Sequence, residues 1–241
     1  MPEMLGPDDL VLHAGTLRRA SVAEKCDAAV AGGFRALTLY PEDVTRARAE
    51  GLALAELGRM LAGHGLVLAD LDPLLCWLPG EPIPPGFAAA TEPEFYEIAD
   101  ALGARSLNVA QGFGVRVDLD RAAEALAGVC DRAREHGLLV TLEYLPWSGI
   151  PDAKTALAIV ERTGRANATL MVDTWHTFRG GADETQLRAL PGARVGSVQI
   201  NDAPAAPAGD LVTETLSARL LPGAGDIPPV AESAACSTAQ S

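Results

Sequence analysis

Seven short apolar runs, each followed by a helix-like stretch, recur about every thirty residues and leave this chain few folds to choose from. They are LVLHAGT from Leu10, FRALTLY from Phe34, LVLADLD from Leu66, RSLNVAQ from Arg105, LLVTLEY from Leu138, ATLMVDT from Ala168 and RVGSVQIND from Arg194. Each is apolar through its centre, as a strand buried on both faces must be. The segments between them carry helical spacing. In SVAEKCDAAVAGGF, Val22, Cys26, Ala29 and Val30 fall on one face. In DLDRAAEALAGVCDRAREHG, Leu119, Ala122, Leu126, Val129 and Ala133 form a stripe that Gly137 ends. Strands that alternate with helices pair in parallel through crossovers. No GxGxxG follows the first run, so a dinucleotide fold loses its main support. The pattern predicts an α/β TIM (β/α)8-type barrel, with an open doubly wound sheet as the alternative.

At 241 residues the chain suits one large α/β domain and can bury a core without disulfide staples. Its formal net charge of −13 repels phosphate backbones and argues against a nucleic-acid partner. Cys26, Cys76, Cys130 and Cys236 form no CxxC pair and read as reduced thiols. The start, MPEMLGPDDL, lacks the basic and apolar regions of a signal peptide, and no apolar run is long enough to span a bilayer. These features predict a cytoplasmic protein with no membrane partner.

Polar residues gather at the C-terminal ends of the predicted strands: His13, Asp70, Asp72, Gln111, Glu143, Asp173, His176, Gln199 and Asp202. Barrel enzymes keep their chemistry on that face. Any one of these residues could instead cap a helix. Glu143, Asp173 and Gln199 each lie two residues beyond an inward position, Thr141, Met171 and Ser197, so their side chains should converge on the barrel axis. Two crowded carboxylates need neutralising. A divalent cation with hard oxygen ligands would do it, Mg²⁺ or Mn²⁺ ahead of Zn²⁺ or Co²⁺; hydrogen bonding of buried acids is the alternative. His13 would contact substrate or serve as a hydrogen-bonded core group. His64 and His136 precede glycines and should meet helix C-termini. Trp77, Trp147 and Trp175 follow strand ends and would wall the pocket, Trp147 as a substrate contact, or else pack under loops.

The stretches LEYLPWSGIPDAKTALAIVERTG, LMVDTWHTFRGG, VGSVQINDAP and RLLPGAGDI together resemble the sugar phosphate isomerase/epimerase family of xylose isomerase-like TIM barrels. That superfamily also includes apurinic endonucleases and 3-dehydroshikimate dehydratases. The resemblance implies a metal held by Glu143, Asp173 and Gln199, with a final glutamate as fourth ligand. It implies that Glu143 and His176 are catalytic and that Arg219 contacts substrate. It implies a small-molecule polyol, sugar or cyclic keto-acid as substrate, turned over by proton abstraction next to a carbonyl. The glutamine at the third position is more like the dehydratase branch, of 3-dehydroshikimate or inosose type.

The chain departs from that pattern in two places. Ala224 stands where the glycine-rich turn usually has glutamate, and no eighth strand can pass through Pro228 and Pro229 in IPPVAESAACSTAQS. The barrel domain is therefore expected over 1–225 without its eighth strand and helix, followed by a disordered tail over 226–241. Glu214 is a candidate to replace the missing ligand. A non-catalytic remnant is the remaining alternative, and unpaired edges on strands one and seven invite a homodimer. An endonuclease would want a basic groove and a histidine-rich site, and the chain has four histidines.

Overall fold

The computed structural model describes residues 5–81, 90–112, 116–181 and 184–228. Most of the predicted tail, with Pro229 and Cys236, lies outside the described residues. Each of the seven apolar runs contains a strand: β1 (Val11–Leu12), β2 (Ala36–Leu39), β3 (Val67–Leu74), β4 (Ser106–Ala110), β5 (Leu139–Glu143), β6 (Ala168–Asp173) and β7 (Val195–Gln199). They pair in chain order, each parallel to the next. Around them run α1 (Val22–Ala31), α2 (Pro41–Ala49), α3 (Leu54–Gly63), α4 (Glu92–Leu102), α5 (Leu119–Glu135), α6 (Ala153–Thr163), α7 (Thr174–Arg179), α8 (Glu184–Arg188) and α9 (Leu211–Ser217). This is the barrel topology the sequence predicts, and among the described residues it has no eighth strand. No described helix is long and apolar enough to cross a membrane.

Local chemistry places these elements. Ser21 and Glu24 form a reciprocal capping box that starts α1. Asp118 and Asp152 accept backbone N–H groups at the starts of α5 and α6. Gly137, at φ 72°, lets the chain turn from α5 into β5. His64 and His136 do sit at the C-terminal caps of α3 and α5. The predicted face of α1 needs correction. Val30 is half exposed, whereas Lys25 is buried beside Val22, Cys26 and Ala29. A charged residue takes the core position because Asp43 of α2 lies 2.6 Å from its Nζ.

The barrel interior is polar at several levels, and its bonds draw β7 across to the opposite wall. Ser197 Oγ lies 3.3 Å from the buried Asp70 carboxylate of β3, and Arg105 Nη2 donates to the Gly196 carbonyl at 3.0 Å. Burial, opposed by its serine partners Ser106 and Ser197, pushes the Asp70 carboxyl above its usual range. Gly196 forms a bulge: Val195 pairs with Leu170, while Ser197 pairs with the next residue, Met171. A Cβ there would collide with Thr169 Oγ1, so only glycine fits. Beyond the bulge, Gln199 pairs with Asp173.

The outer side of β7 is the thin part of the wall. Strands β2, β4 and β6 are buried throughout, whereas Val198 is 52% exposed and Ile200 just beyond it 64%. Leu10, Leu216 and Leu221 are also exposed.

Candidate active site

Two strands end in the acids on which the site is built. Asp173 closes β6 and also caps α7: its Oδ1 accepts the His176 N–H at 2.9 Å, which locks the carboxylate and places the imidazole one turn on. Glu143 closes β5 and is 6% exposed. Its Oε2 accepts from Asn108 Nδ2 at 2.7 Å, and its Oε1 lies 3.2 Å from His176 Nε2. The other Asn108 N–H goes to Asp72 at 2.6 Å, while Asn108 Oδ1 accepts from Thr141 Oγ1 at 3.0 Å. With both amide hydrogens and the carbonyl used, Asn108 is fixed and braces two carboxylates at once.

His13 stands on the β1 side of the mouth. The Gly15 N–H donates to its Nδ1, which leaves Nε2 to donate to Asp72 at 3.1 Å. Its ring meets Tyr40 edge to face at 5.9 Å. The Tyr40 hydroxyl is pushed up by burial and by the nearby Asp72 and Glu143, against Arg18 and Arg219, so it remains a donor among these acids.

On the β6 side Arg219 reaches in. Its Nη1 donates to Asp173 Oδ2 at 2.6 Å, and Nη2 lies 3.1 Å from His176 Nε2. Burial alone would raise the Asp173 carboxyl, but Arg219, His176 and their hydrogen bonds offset it and hold the group down at about 2. His176 is 3% exposed, and its Nδ1 has no partner among the described residues. Its Nε2 faces both a guanidinium donor and a carboxylate. One nitrogen can accept from the first or donate to the second, but not both. Trp147 and Trp175 enclose this ring at centroid distances of 5.4 and 5.2 Å.

The structure thus brings Glu143, Asp173, His176 and Arg219 together, with Trp147 against His176. Ligand atoms of Glu143, Asp173 and His176 lie within 4.8 Å of one another. Two hard carboxylates and one imidazole suit a divalent cation such as Mg²⁺, Mn²⁺ or Zn²⁺. Gln199 is half-buried and pairs in register with Asp173 across β6 and β7. His13 lies across the mouth with Asp72. Trp77 instead anchors the end of β4 by donating to the Ala110 carbonyl at 3.1 Å.

Glu214 of α9 and two residues of the strand-end set, Gln111 and Asp202, serve structure. Glu214 does not swing in: it is 1% exposed and accepts from Trp175, from Arg179 twice and from the Ala208 N–H. Against the cost of burial, those donors hold its carboxyl below the usual range. Gln111 accepts from the Gly149 N–H and ties β4 to the loop after β5. Asp202 accepts N–H groups from Ala203, Gly223, Gly225 and Ile227, so it folds the LPGAGDI turn back on β7. The antiparallel bridge from Asp202 to Leu220 then presents Arg219 to the mouth. Asn108, Tyr40 and Asn201 escaped the sequence reading. Each stands inside or beside a quoted run, and an amide at the centre of a buried strand was the available signal for Asn108.

A family model described as xylose isomerase-like TIM barrel matches residues 26–232. A relative from Streptomyces coelicolor named "Putative hydroxypyruvate isomerase" is 29% identical over 222 residues, which cover 82% of this chain and 80% of that one. A 3-dehydroshikimate dehydratase of Pseudomonas aeruginosa is 32% identical over 104 residues, 43% of this chain. The chain spans only 16% of that enzyme's length. A crystal structure of the IOLI protein with a zinc atom superposes with a TM-score of 0.77 at 19% identity, covering 91% of this chain and 81% of that one. At such identity the likeness speaks for the fold.

Proposed function

The chain belongs to the xylose isomerase-like TIM barrel family, and from that premise we propose that it is a divalent-metal-dependent enzyme of the isomerase or epimerase type. Its substrate would be a sugar, a sugar phosphate or a related polyhydroxy carbonyl compound. The observation that carries this reading is Glu143, held by Asn108 and facing His176 beside the capped Asp173. Glu143 and Asp173, with Gln199 or His176 as a neutral donor, would hold the cation, which when bound polarises a substrate carbonyl. The Glu143 carboxylate then takes the proton from the carbon next to that carbonyl. His176 and Tyr40 hold substrate oxygens, and Trp147 and Trp175 keep water from the ring side. Arg219 orients an oxygen-rich end of the substrate.

A dehydratase of 3-dehydroshikimate or inosose type is the second reading. It is favoured because, among the described residues, no eighth strand brings a second carboxylate opposite Glu143. One base suffices, since the proton it takes from carbon can be passed to the β-hydroxyl, which leaves as water while the C=C bond forms. Both readings are tested by incubating the protein and Mg²⁺ or Mn²⁺ in D₂O with hydroxypyruvate, ketohexoses, an inosose and 3-dehydroshikimate, followed by NMR. Deuterium at the carbon next to the carbonyl supports the isomerase reading. A new conjugated alkene or aromatic product supports the dehydratase. Neither change in any substrate would leave the non-catalytic remnant.

The thin wall at β7 also bears on assembly. Val198 and Ile200 offer an apolar edge that a second copy can cover. Light scattering across a concentration series should show self-association that the pair Val198→Lys and Ile200→Lys removes without loss of melting temperature. A wild-type monomer at all concentrations would refute pairing through this edge.

A further inference from the structure

The geometry points to Arg219 as an internal stand-in for the metal: its guanidinium holds Asp173 until a divalent cation displaces it. This rests on the metal-site reading above and concerns what must happen before a cation can enter. Asp173 Oδ2 accepts from Arg219 Nη1 at 2.6 Å and from Asn201 Nδ2 at 3.0 Å, which fills that oxygen's lone-pair directions. Oδ1 is taken by the His176 N–H. The nearby Glu143 charge also favours the guanidinium there. A cation bound by Asp173 and Glu143 and the guanidinium therefore compete for one negative site.

The two partners are not equally free to move. Asp173 is fully buried and locked as a helix cap, whereas the Arg219 side chain is 24% exposed. Arg219 leans on the chain that would receive it on withdrawal. Its Nε donates to the Thr215 carbonyl at 3.1 Å, and its guanidinium lies 5.1 Å from the Trp175 ring centroid. Displacement would also resolve the conflict at His176, whose Nε2 no longer faces a guanidinium donor. The released arginine then points an unpaired cation at the mouth, where an anionic or hydroxyl-rich substrate is bound. Metal entry and substrate recognition become ordered steps, metal first.

Mg²⁺ titrated calorimetrically into wild type and Arg219→Gln tests this. The variant should bind at least about tenfold more tightly, because the competitor is gone while the ligands remain. Equal affinity, or weaker binding by the variant, would overturn the inference and leave the metal site intact. No binding by either chain would overturn the metal-site reading together with this inference. A second measurement uses the natural chain alone. Mg²⁺ should change tryptophan emission as the guanidinium leaves Trp175, with a midpoint equal to the calorimetric one, and Trp175→Phe should abolish that change. Saturating calorimetric binding with constant emission would also overturn it.

Discussion

Glu143→Gln is expected to lower the rate of proton exchange or turnover by roughly 10³-fold, the usual contribution of a positioned general base. It should do so with little change in melting temperature. The amide has the shape of the carboxylate, and its oxygen can still accept from Asn108 Nδ2, which now donates at 2.7 Å. It cannot take a proton from carbon. Loss of one negative charge from a mouth that also holds Asp72 and Asp173 relieves repulsion, so stability should hold or rise slightly. Rates from NMR exchange and melting curves on the same preparations check this. A fall in melting temperature that matches the loss of rate would make Glu143 a structural acid.

That expectation traces to a feature readable in the sequence. An acid closing a buried strand is costly unless the site uses it, and β5 and β6 end that way. Phase arithmetic placed Glu143, Asp173 and Gln199 on one side because the strands keep period two at their C-terminal ends. On β7, Gln199 comes to pair with Asp173 because the Gly196 bulge falls before Ser197. Counted from Val195, Gln199 would have had the opposite phase. A bulge is set by tertiary packing against Thr169 and leaves no periodic trace.

The polar partners were less legible. Asn108 sits at the centre of an apolar run, and only Asp72 and Glu143 on the two adjoining strands reveal its work. Asp202 reads in the sequence as one more polar strand end, yet its four N–H partners come from residues up to 25 positions later. Glu214 is similar: Arg179 and Trp175 lie 35 and 39 residues away. Spacing finds which face a residue shares with its own element. It does not find what another element brings to meet it.

Lys25 shows the same limit and gives the largest stability effect expected here. Removing its partner by Asp43→Ala should cost about 3–5 kcal/mol, a large share of a domain's total of about 5–15 kcal/mol. Lys25 is 1% exposed and Asp43 2%, and their 2.6 Å contact crosses from α1 to α2. Asp43 also accepts the Tyr40 N–H at 3.1 Å and Arg46 Nη2 at 2.6 Å. The substitution therefore strands a buried ammonium and frees the start of α2 together. Lys25→Met combined with Asp43→Ala should recover much of the loss, since no buried charge is then left unpaired. The double variant in urea unfolding gives the coupling directly; strict additivity of the two single costs would refute it. The pair reaches the site as well. Lys25 Nζ lies 5.9 Å from the Tyr40 ring, and Tyr40 meets His13 edge to face at the mouth. A chain carrying only Asp43→Ala should then lose substrate affinity even below its melting temperature, because Tyr40, which joins β2 to α2, is no longer held.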